Sequence, residues 1–253
     1  MSLLEIKQSI LGYLYRYLNK PKEDKFSIGD KNIQLLECKL GEARLKHLLN
    51  SVDLKTLIDI GASHGDFINL VQQFKKSVSV YGFEPIPEVF KSLQERFVKT
   101  KKLELYNLAI GNLDGIVEFN ENNYSYSSSI LPIGEIHMTE FPYTKNFKKL
   151  DVQIACLDSV LKNKNIERPL LIKVDVQGYE EQVISGGKNT FAQADFIIIE
   201  VSFYELYIGQ AFFEQISKEL NNLGLFYYGC ISQLTSPIDC KILQQDALFI
   251  RRK

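Results

Sequence analysis

The amino-acid sequence predicts an α/β fold: a doubly wound sheet of about seven strands, mostly parallel, with an antiparallel C-terminal strand. Three observations support this prediction. Short apolar runs alternate with segments whose apolar residues recur at helical spacing, which is the pattern of parallel strands joined by crossover helices. The run over residues 56–60 stops at a glycine turn, and later runs stop on acidic residues. The chain has 253 residues, 45% of them apolar, so it can form one large domain with its own core.

Two regions are predicted along the chain: an N-terminal helical extension over residues 1–50, and a main domain over residues 51–253 with an insert at about 114–168. Apolar residues at four-residue steps indicate an amphipathic helix near the start, and they are Ile6, Ile10, Leu14 and Leu18. Two uses of this helix stay open: packing on its own domain, or contact with a membrane surface or a partner. Residues 22–31 are polar and predict a linking loop, and residues 41–50 predict a further helix.

The segment from Thr56 to Phe67 is the most informative part of the chain, because it predicts a strand, a tight glycine turn and a helix. A dinucleotide fold has three glycines spaced as G-x-G-x-x-G. Here an acid precedes two glycines, as Asp59-x-Gly61-x-x-x-Gly65. This spacing resembles the Rossmann-like fold of class I methyltransferases, which bind S-adenosylmethionine. Asp59 and the main chain of Gly61 are then expected to face the cationic amino-acid end of that cofactor.

The next two strands extend the predicted cofactor site. Glu84 closes the apolar run 78–83, roughly 20 residues past the glycines, where an acid accepts hydrogen bonds from ribose hydroxyls. Residues 87–98 predict a helix and residues 103–107 a third strand. Ligands of such sheets bind beyond the carboxyl ends of the strands, so Asn107 and Ala109 are expected beside the adenine.

The insert breaks the alternating pattern. A hairpin-like piece at 115–119 is followed by a tract rich in Asn, Ser and Tyr, which is typical of loops, and residues 151–155 predict a returning strand. A loop of this length inside a compact domain is usually disordered or functional. The favoured interpretation is a lid over the acceptor pocket, with a disordered loop as the alternative.

The C-terminal half completes the predicted sheet. Residues 170–175 and 195–201 form two buried strands, ending on Asp175 and carrying Glu200 near the end. A helix striped by Phe212, Ile216, Leu220 and Leu223 follows the second of them. Residues 225–228 and 247–250 supply a closing antiparallel pair.

Composition limits the classes of partner. Lys and Arg number 30 against 31 Asp and Glu, a formal net charge of −1, so no global field favours nucleic acid. The four cysteines contain no C-x-x-C pair and fit reduced thiols in a cytoplasm. The sequence does not start with a basic region followed by a long apolar stretch, so we do not expect export. It also contains no run of about 18 apolar residues, so we do not expect a transmembrane segment.

Several motifs together resemble the FkbM family of S-adenosylmethionine-dependent methyltransferases. The motifs are DIGASHG at 59–65, GFEP at 82–85, NLAIGNLDG at 107–115, the serines at 127–129, LD at 157–158, IKVDVQGYE at 172–180 and IIIEV at 197–201. The resemblance covers roughly residues 56–229, and 172–180 is its most specific motif. The family commonly has asparagine where Ser63 stands here. The resemblance implies O-methylation of a hydroxyl on a sugar, a glycan precursor or a natural product, and residues 51–253 as the methyltransferase domain.

The candidate site residues follow from these motifs. The cofactor is expected to contact Asp59, Gly61, Ala62, Ser63, Gly65, Phe67, Glu84, Pro85, Asn107, Ala109, Asp175 and Gln177. The catalytic candidates are Asp175, Lys173, Glu180 and Glu200. Methyl transfer to an alcohol needs alignment of two reacting atoms and a group that takes a proton. Asp175 is the first candidate for that base, with a cofactor or helix-capping role as its alternative, and Lys173 on the same side of the strand is expected to orient it.

Other roles remain open at this stage. Asp175, Glu200 and Asp158 are a conceivable oxygen-ligand set for magnesium, although no metal is favoured. His64 is expected to act through its backbone, and His137 is expected either near the acceptor or, more commonly for such a residue, in a solvated loop. An inactive scaffold that retains the fold is the alternative function. The sequence does not fix the oligomeric state, so a homo-oligomer stays open.

Overall fold

The computed structural model describes residues 31–252, with backbone alone for residues 31–39 and Glu42. In chain order the strands are β1 (Thr56–Ile60), β2 (Ser79–Phe83), β3 (Leu103–Tyr106), β4 (Ala109–Gly111), β5 (Gly115–Asn122), β6 (Phe147–Cys156), β7 (Leu170–Val174), β8 (Phe196–Ser202), β9 (Leu225–Thr235) and β10 (Ile242–Arg251). The α-helices are α1 (Lys31–Ser51), α2 (Asp66–Phe74), α3 (Pro87–Arg96), α4 (Glu135–Glu140), α5 (Leu157–Leu161), α6 (Glu180–Gly186), α7 (Lys188–Phe191) and α8 (Phe213–Asn222). The predicted helix at 6–18 and nearly all of the predicted loop at 22–31 lie outside the described residues.

The main sheet has the predicted architecture. Between residues 31 and 252 its seven strands lie in the order β3-β2-β1-β7-β8-β10-β9. Strands β3, β2, β1, β7 and β8 run parallel to their neighbours, whereas β10 is antiparallel to both β8 and β9. The strand order reverses between β1 and β7, and such a switch point opens a crevice beyond the carboxyl ends of the strands. The doubly wound fold with an antiparallel C-terminal strand is thus confirmed.

Apolar residues on both faces of the central strands explain why helices cover both sides of the sheet. On one face Ile58 and Ile172 pack in a cluster that includes Val183 of α6. On the other face Leu57 packs in a cluster that includes Ile68 of α2. These two layers fix the positions of the strand ends, and the cavity described below lies at those ends.

The insert is a folded piece with a sheet of its own, so the alternative of a disordered loop is wrong. Strand β6 pairs in parallel with β4 and antiparallel with β5. The tract between β5 and β6 is held by polar side chains that bond its own backbone. Asn122 is buried and donates to the Thr144 carbonyl, its N–H donates to Ser128 Oγ at 3.0 Å, and Asn120 Nδ2 donates to the Ile130 carbonyl at 3.2 Å. The side chains that predicted a loop therefore order it.

The last two strands are longer than the apolar segments 225–228 and 247–250 that predicted them. Polar residues beyond those segments continue the hydrogen-bonded pairing of the two strands. Strand β10 begins at the carboxyl edge of the parallel strands and ends at the opposite edge. There the Arg251 guanidinium donates to the carbonyls of Ala194 at 2.7 Å and Leu223 at 2.9 Å.

Candidate active site

A cavity of about 430 Å³ lies beyond the carboxyl ends of β1, β2, β7 and β8. The insert and the polar ends of β9 and β10 complete its walls. Its volume falls in the range of small-molecule sites. The predicted site residues that line it are Gly61, Ser63, Glu84, Pro85, Ala109, Asp175, Gln177 and Glu200. The predicted site residues that do not line it are Asp59, Ala62, Gly65, Phe67, Asn107, Lys173 and Glu180.

The turn after β1 keeps its shape through its glycines. Gly61 and Gly65 have φ values of 81° and 80°, which glycine adopts without strain. A Cβ on Gly61 would overlap the carbonyl oxygen of Asp175, and a Cβ on Gly65 would overlap the Phe97 ring. The glycines therefore let the turn pack against the end of β7 and against α3, and Gly61 still lines the cavity. The two glycines of the Asp59-x-Gly61-x-x-x-Gly65 motif are therefore explained by close packing of the turn as well as by the approach of a ligand.

Glu84 binds the glycine turn from the end of β2. Its Oε2 accepts the Ser63 N–H at 3.0 Å, and its Oε1 accepts the Ile86 N–H at 2.9 Å. The residue is 5% exposed, and burial raises the pKa of its carboxyl to about 7. Glu84 lines the cavity with two oxygens that can accept further hydrogen bonds from a ligand.

Asn107 supports this corner of the site from outside, where the sequence had predicted an adenine contact. Its Nδ2 donates to the carbonyls of Glu84 and Pro85, each at 2.9 Å, and its side chain is exposed outside the cavity wall. Asn107 thus supports the loop after β2, and its predicted adenine contact stays a prediction. Ala109, which was predicted with it, does line the cavity.

Asp59 is buried beneath the glycine turn. It is 0% exposed, neither carboxylate oxygen has a hydrogen-bond partner, and burial raises its pKa to about 6. Its neighbour in register on β7 is Lys173, whose charge opposes that increase. The prediction of direct access from the cavity is corrected, because the carboxylate lies below the cavity wall. A buried carboxylate without hydrogen-bond partners is stabilised by a nearby positive charge.

Lys173, Asp175, Gln177 and Glu200 form a hydrogen-bonded network at the ends of β7 and β8. Lys173 Nζ lies 3.0 Å from Asp175 Oδ2. The Gln177 amide donates to Asp175 Oδ1 at 2.8 Å and to Glu200 Oε2 at 2.9 Å. Tyr207 donates its hydroxyl to Gln177 Oε1 at 2.7 Å, which fixes the orientation of that amide. The predicted role of Lys173 in orienting Asp175 agrees with this geometry.

The charges in this network follow from its contacts. Burial raises the pKa of Asp175, but the Lys173 ammonium and the Gln177 amide outweigh it and hold the pKa below its usual value. Burial, followed by the charges of Asp175 and Glu180, raises the pKa of Glu200 well above its usual value. Burial lowers the pKa of Lys173, yet Asp175 and Asp59 outweigh burial and raise it. Asp175 is therefore the ionised carboxylate of the pair that it forms with Glu200.

Glu180 was predicted as a catalytic candidate that faces either the acceptor or the insert, and it does not line the cavity. Its Oε1 accepts the N–H groups of Val176 at 3.2 Å and Gly178 at 3.1 Å. Burial raises the pKa of this carboxyl to about 7. Glu180 thus closes the turn between β7 and α6, which carries Gln177 at a φ of 57°.

The two histidines considered from the sequence have different environments. His137 is 4% exposed, so the solvated-loop interpretation is wrong; it lines the cavity and its Nδ1 has no hydrogen-bond partner. Its ring packs edge-on against Phe141 and Tyr207. Burial lowers the pKa of His137 to about 4. His64 acts through its carbonyl oxygen, which accepts a hydrogen bond from Arg96 at 2.6 Å.

The magnesium set considered from the sequence is not assembled. Asp158 accepts hydrogen bonds from the N–H groups of Asn189 and Thr190 and from the Thr190 hydroxyl, at the start of α7 and away from Asp175. Within residues 31–252 no cluster of three His, Cys, Asp or Glu side chains is placed to hold a metal ion.

Sequence reasoning missed the wall that β9, β10 and the insert provide. Gln244, Gln245 and Asp246 line the cavity from β10, and Tyr124, Tyr126 and Tyr143 line it from the insert. The polar triplet before the apolar run at 247–250 was the available signal, because an antiparallel strand begins where parallel strands end. The tyrosines were noticed only as part of a polar tract.

A sheet in this order, with a glycine turn after its first strand and a cavity beyond its carboxyl edge, defines a class I methyltransferase. Within that class, the chain belongs to the Methyltransferase FkbM domain family, whose model matches residues 59–227. The resemblance inferred from the motifs is thereby confirmed.

Two relatives and one solved structure are similar to this chain. It is 29% identical over 161 residues to 2-O-methyltransferase NoeI of Sinorhizobium fredii, which covers 61% of this chain and 66% of NoeI, just under two thirds of that protein. It is 22% identical over 195 residues to hexuronic acid methyltransferase AglP of Haloferax volcanii, which covers 76% of this chain and 72% of AglP. The crystal structure of N-methyltransferase NodS from Bradyrhizobium japonicum WM9 with S-adenosyl-l-homocysteine is 14% identical, with a TM-score of 0.46 over 96% of this chain and 98% of that chain.

No α-helix between residues 31 and 252 is long and apolar enough to cross a lipid bilayer.

Proposed function

We propose that the protein is an S-adenosylmethionine-dependent O-methyltransferase that acts on a hydroxyl of a sugar, a glycan precursor or a natural product. One observation carries the proposal: the same cavity is lined by Gly61, Glu84, Asp175 and Glu200, with the backbone of Gly61 packed against that of Asp175. A cofactor on the glycine turn and an acceptor beside the acids would therefore meet in one space. The printed names of NoeI and AglP, a 2-O-methyltransferase and a hexuronic acid methyltransferase, support a sugar acceptor.

The residues present fit S-adenosylmethionine. Asp59 has two buried oxygens without partners, and its charge favours the cationic end of that cofactor above Gly61. Glu84 is fixed by the N–H groups of Ser63 and Ile86, and each oxygen can accept one more hydrogen bond, as two ribose hydroxyls require. When bound, the cofactor supplies a methyl group activated by a sulfonium.

The chain's own residues perform the remaining work. The cavity holds the acceptor oxygen near the end of β7, since methyl transfer depends mainly on alignment of the reacting atoms. Asp175, kept ionised by Lys173, accepts the proton that the acceptor hydroxyl loses. Gln177 fixes the rotamer of Asp175 through its 2.8 Å hydrogen bond. We assign Asp175 as the base and Lys173 and Gln177 as positioning residues.

The surroundings of the protein belong to the same proposal. We infer a cytoplasmic enzyme whose partner is a small-molecule or glycan acceptor and not a nucleic acid. The near-neutral net charge of −1 supports the second point, and cysteines 156 and 240, which form no disulfide, support a reducing compartment. No feature of residues 31–252 favours the alternative of an inactive scaffold.

Calorimetric titration of the full chain with S-adenosylhomocysteine tests the proposal. We expect binding to the wild type, and Glu84→Gln is expected to weaken it about tenfold or more, because hydrogen bonds to a charged acceptor are lost. Glu95→Gln makes the same chemical change at an exposed position of α3 and is expected to bind as the wild type does. Failure of the wild type to bind would reject the cofactor, and equal affinity of Glu84→Gln would reject the ribose assignment.

A further inference from the structure

The ionisable groups of the cavity wall are mainly acidic, and Asp175 and Asp246 supply its negative charge, because burial raises the pKa of Glu84 to about 7 and that of Glu200 well above its usual value. Four carboxyl groups line the cavity, those of Glu84, Asp175, Glu200 and Asp246, and no Lys or Arg of the described residues joins them. Lys173 lies behind this wall, where it pairs with Asp175 and sits 5.7 Å above the Phe67 ring. An anion brought between these groups would meet repulsion strengthened by the low polarity of a buried site.

Two of the acids lie beyond the expected position of the cofactor. Asp246 of β10 is the register partner of Glu200 on β8, so the two carboxyl groups stand side by side on neighbouring strands. The Gln177 amide donates to Glu200, and the Ser232 hydroxyl donates to Asp246. Each of these carboxyl groups can accept more hydrogen bonds than the protein donates to it, so a ligand with several hydrogen-bond donors fits this end of the cavity.

His137 adds a buried ring without a charge to the wall of the same cavity. Its Nδ1 is buried without a partner, and its ring is clamped between Phe141 and Tyr207, with centroid distances of 5.5 and 5.2 Å. With its pKa lowered to about 4 by burial, the imidazole is neutral near pH 7. A neutral imidazole nitrogen that carries no hydrogen accepts a hydrogen bond and does not attract an anion.

We propose that the methyl acceptor enters this end of the cavity as an uncharged ring with several hydroxyl groups, which donate to Glu200 and Asp246. The inference rests on the proposed function and adds the charge of the acceptor to it. A carboxylate or phosphate on the ring itself is excluded by repulsion from Asp175 and Asp246. Anionic groups of a nucleotide or lipid carrier attached to the ring lie outside the cavity.

Matched neutral and acidic glycosides test the inference. The full chain is first saturated with S-adenosylhomocysteine, and its binding is confirmed by calorimetry. Ligand-observed NMR titrations then compare 4-nitrophenyl glucoside with 4-nitrophenyl glucuronide, and the corresponding galactose pair, which differ only in the charge at carbon 6. We expect the neutral member of at least one pair to bind about tenfold or more tightly than the acidic member.

Variants assign the preference to the named residues. Asp246→Asn removes one charge from the wall and is expected to reduce the preference for the neutral glycoside about fivefold or more, with Asp175→Asn as a second variant. Asp151→Asn, the same change at an exposed position of β6, is expected to keep the wild-type ratio. Retained binding of S-adenosylhomocysteine shows that each variant is folded.

The outcomes separate the inference from the proposed function. Equal binding of both glycosides, tighter binding of the glucuronide, or no binding of either member of both pairs would overturn the inference while the cofactor assignment stands. An unchanged ratio in both variants would also overturn it. Loss of S-adenosylhomocysteine binding by the wild type would overturn the proposed function and the inference with it.

Discussion

At the scale of single residues, Lys173 determines which carboxyl group of the network is ionised. It pairs with Asp175 at 3.0 Å, while Glu200 accepts a hydrogen bond from the neutral Gln177 amide. Asp175 is therefore available to accept a proton, whereas a protonated Glu200 can donate a hydrogen bond to an acceptor oxygen. The Gln177 amide bridges the two acids, and they differ in chemical role because Lys173 pairs with Asp175.

Asp175→Asn tests the assignment of the base. We expect kcat to fall about 100-fold or more, with a smaller change in the acceptor KM, because the amide keeps the shape of the side chain but takes no proton. Steady-state kinetics with an acceptor from the neutral glycoside class measure both constants. Glu118→Gln, an exposed position of β5, serves as the control and is expected to match the wild type. A wild-type kcat in Asp175→Asn would remove the role.

Ser63 illustrates why the family commonly has asparagine at this position. Its φ is 49°, in the left-handed region that asparagine tolerates better than serine does. The N–H of Ser63 binds Glu84, so the backbone is held in this conformation whatever the side chain. The free-energy cost of this φ therefore depends on which residue occupies position 63, and it is higher for serine than for asparagine.

Ser63→Asn is expected to raise the free energy of unfolding of the cofactor-free protein by about 0.5–1 kcal/mol, because it relieves this cost. Urea denaturation followed by circular dichroism measures the change. Ser63→Ala keeps the unfavourable Cβ without the local hydrogen bonding of asparagine, so it is expected to give no gain. A decrease in stability on Ser63→Asn would contradict the explanation.

At the scale of elements, the insert is fastened to the turn after β7. Ser129 Oγ donates to the Gln177 carbonyl at 2.7 Å and accepts the Leu131 N–H at 2.9 Å. Tyr207 joins both pieces, since its hydroxyl contacts Gln177 Oε1 at 2.7 Å and the Ser127 carbonyl at 3.3 Å. The wall of the acceptor end and the amide that orients Asp175 are therefore one connected structure.

Ser129→Ala is expected to lower the free energy of unfolding by about 1–2 kcal/mol, because a part-buried carbonyl and a part-buried N–H lose their partner. It is also expected to raise the acceptor KM more than the dissociation constant of S-adenosylhomocysteine, since Gln177 faces the acceptor end. Urea denaturation, kinetics and calorimetry measure the three quantities. Ser92→Ala, at an exposed position of α3, is the control for loss of a hydroxyl. Equal increases in the acceptor KM and in the dissociation constant of S-adenosylhomocysteine would contradict the coupling between the insert and Gln177.

The elements also show where prediction from sequence succeeds. The five-residue strand β1 and the helix α2 were predicted because buried strands and amphipathic helices carry a local apolar pattern. The ends of β9 and β10 were missed because their polar residues face a cavity, and a polar residue in a strand looks the same as one in a loop. The contacts of Glu180 were missed for a related reason, since its sequence position near the acids does not reveal that its carboxylate closes a turn.

At the scale of the whole molecule, the buried acids link folding to pH. The pKa values of Asp59, Glu84 and Glu180 are raised to about 6, 7 and 7, whereas the same groups titrate near 3.8 and 4.5 when unperturbed. The folded state thus holds more protons than the unfolded state between about pH 4 and 7. Their contribution to stability is present at low pH and is lost as pH rises through the folded pKa values. His137 opposes this trend. Because its pKa is lowered from 6.5 to about 4 in the folded state, the unfolded state binds a proton first as pH falls below 6.5, and the folded state loses stability.

We expect the cofactor-free protein to lose stability between pH 5 and 7, because three raised acids outweigh one histidine. Glu84 alone accounts for about 2 kcal/mol of this change. Urea denaturation at pH 5, 6, 7 and 8 measures the slope, and Glu84→Gln is expected to reduce it. Stability that increases with pH over this interval, or an unchanged slope in the variant, would contradict the assignment.

The overall arrangement was predictable in outline, and the acceptor end was not. The glycine turn and Glu84 identify the cofactor end because their spacing is set by one strand-turn-helix unit and the strand after it. The acceptor end combines His137, Asp246 and Tyr207, which come from three distant parts of the chain. Their proximity is a product of sheet order and insert packing, for which a single sequence carries no local signal.

The direction of β10 has a practical consequence. Its first residues line the cavity, and Arg251 anchors its last ones at the far edge of the sheet. Any polypeptide joined after residue 252 therefore departs on the side remote from the chemistry. A reporter or an immobilisation tag placed there would leave the mouth of the cavity clear for a bulky ligand.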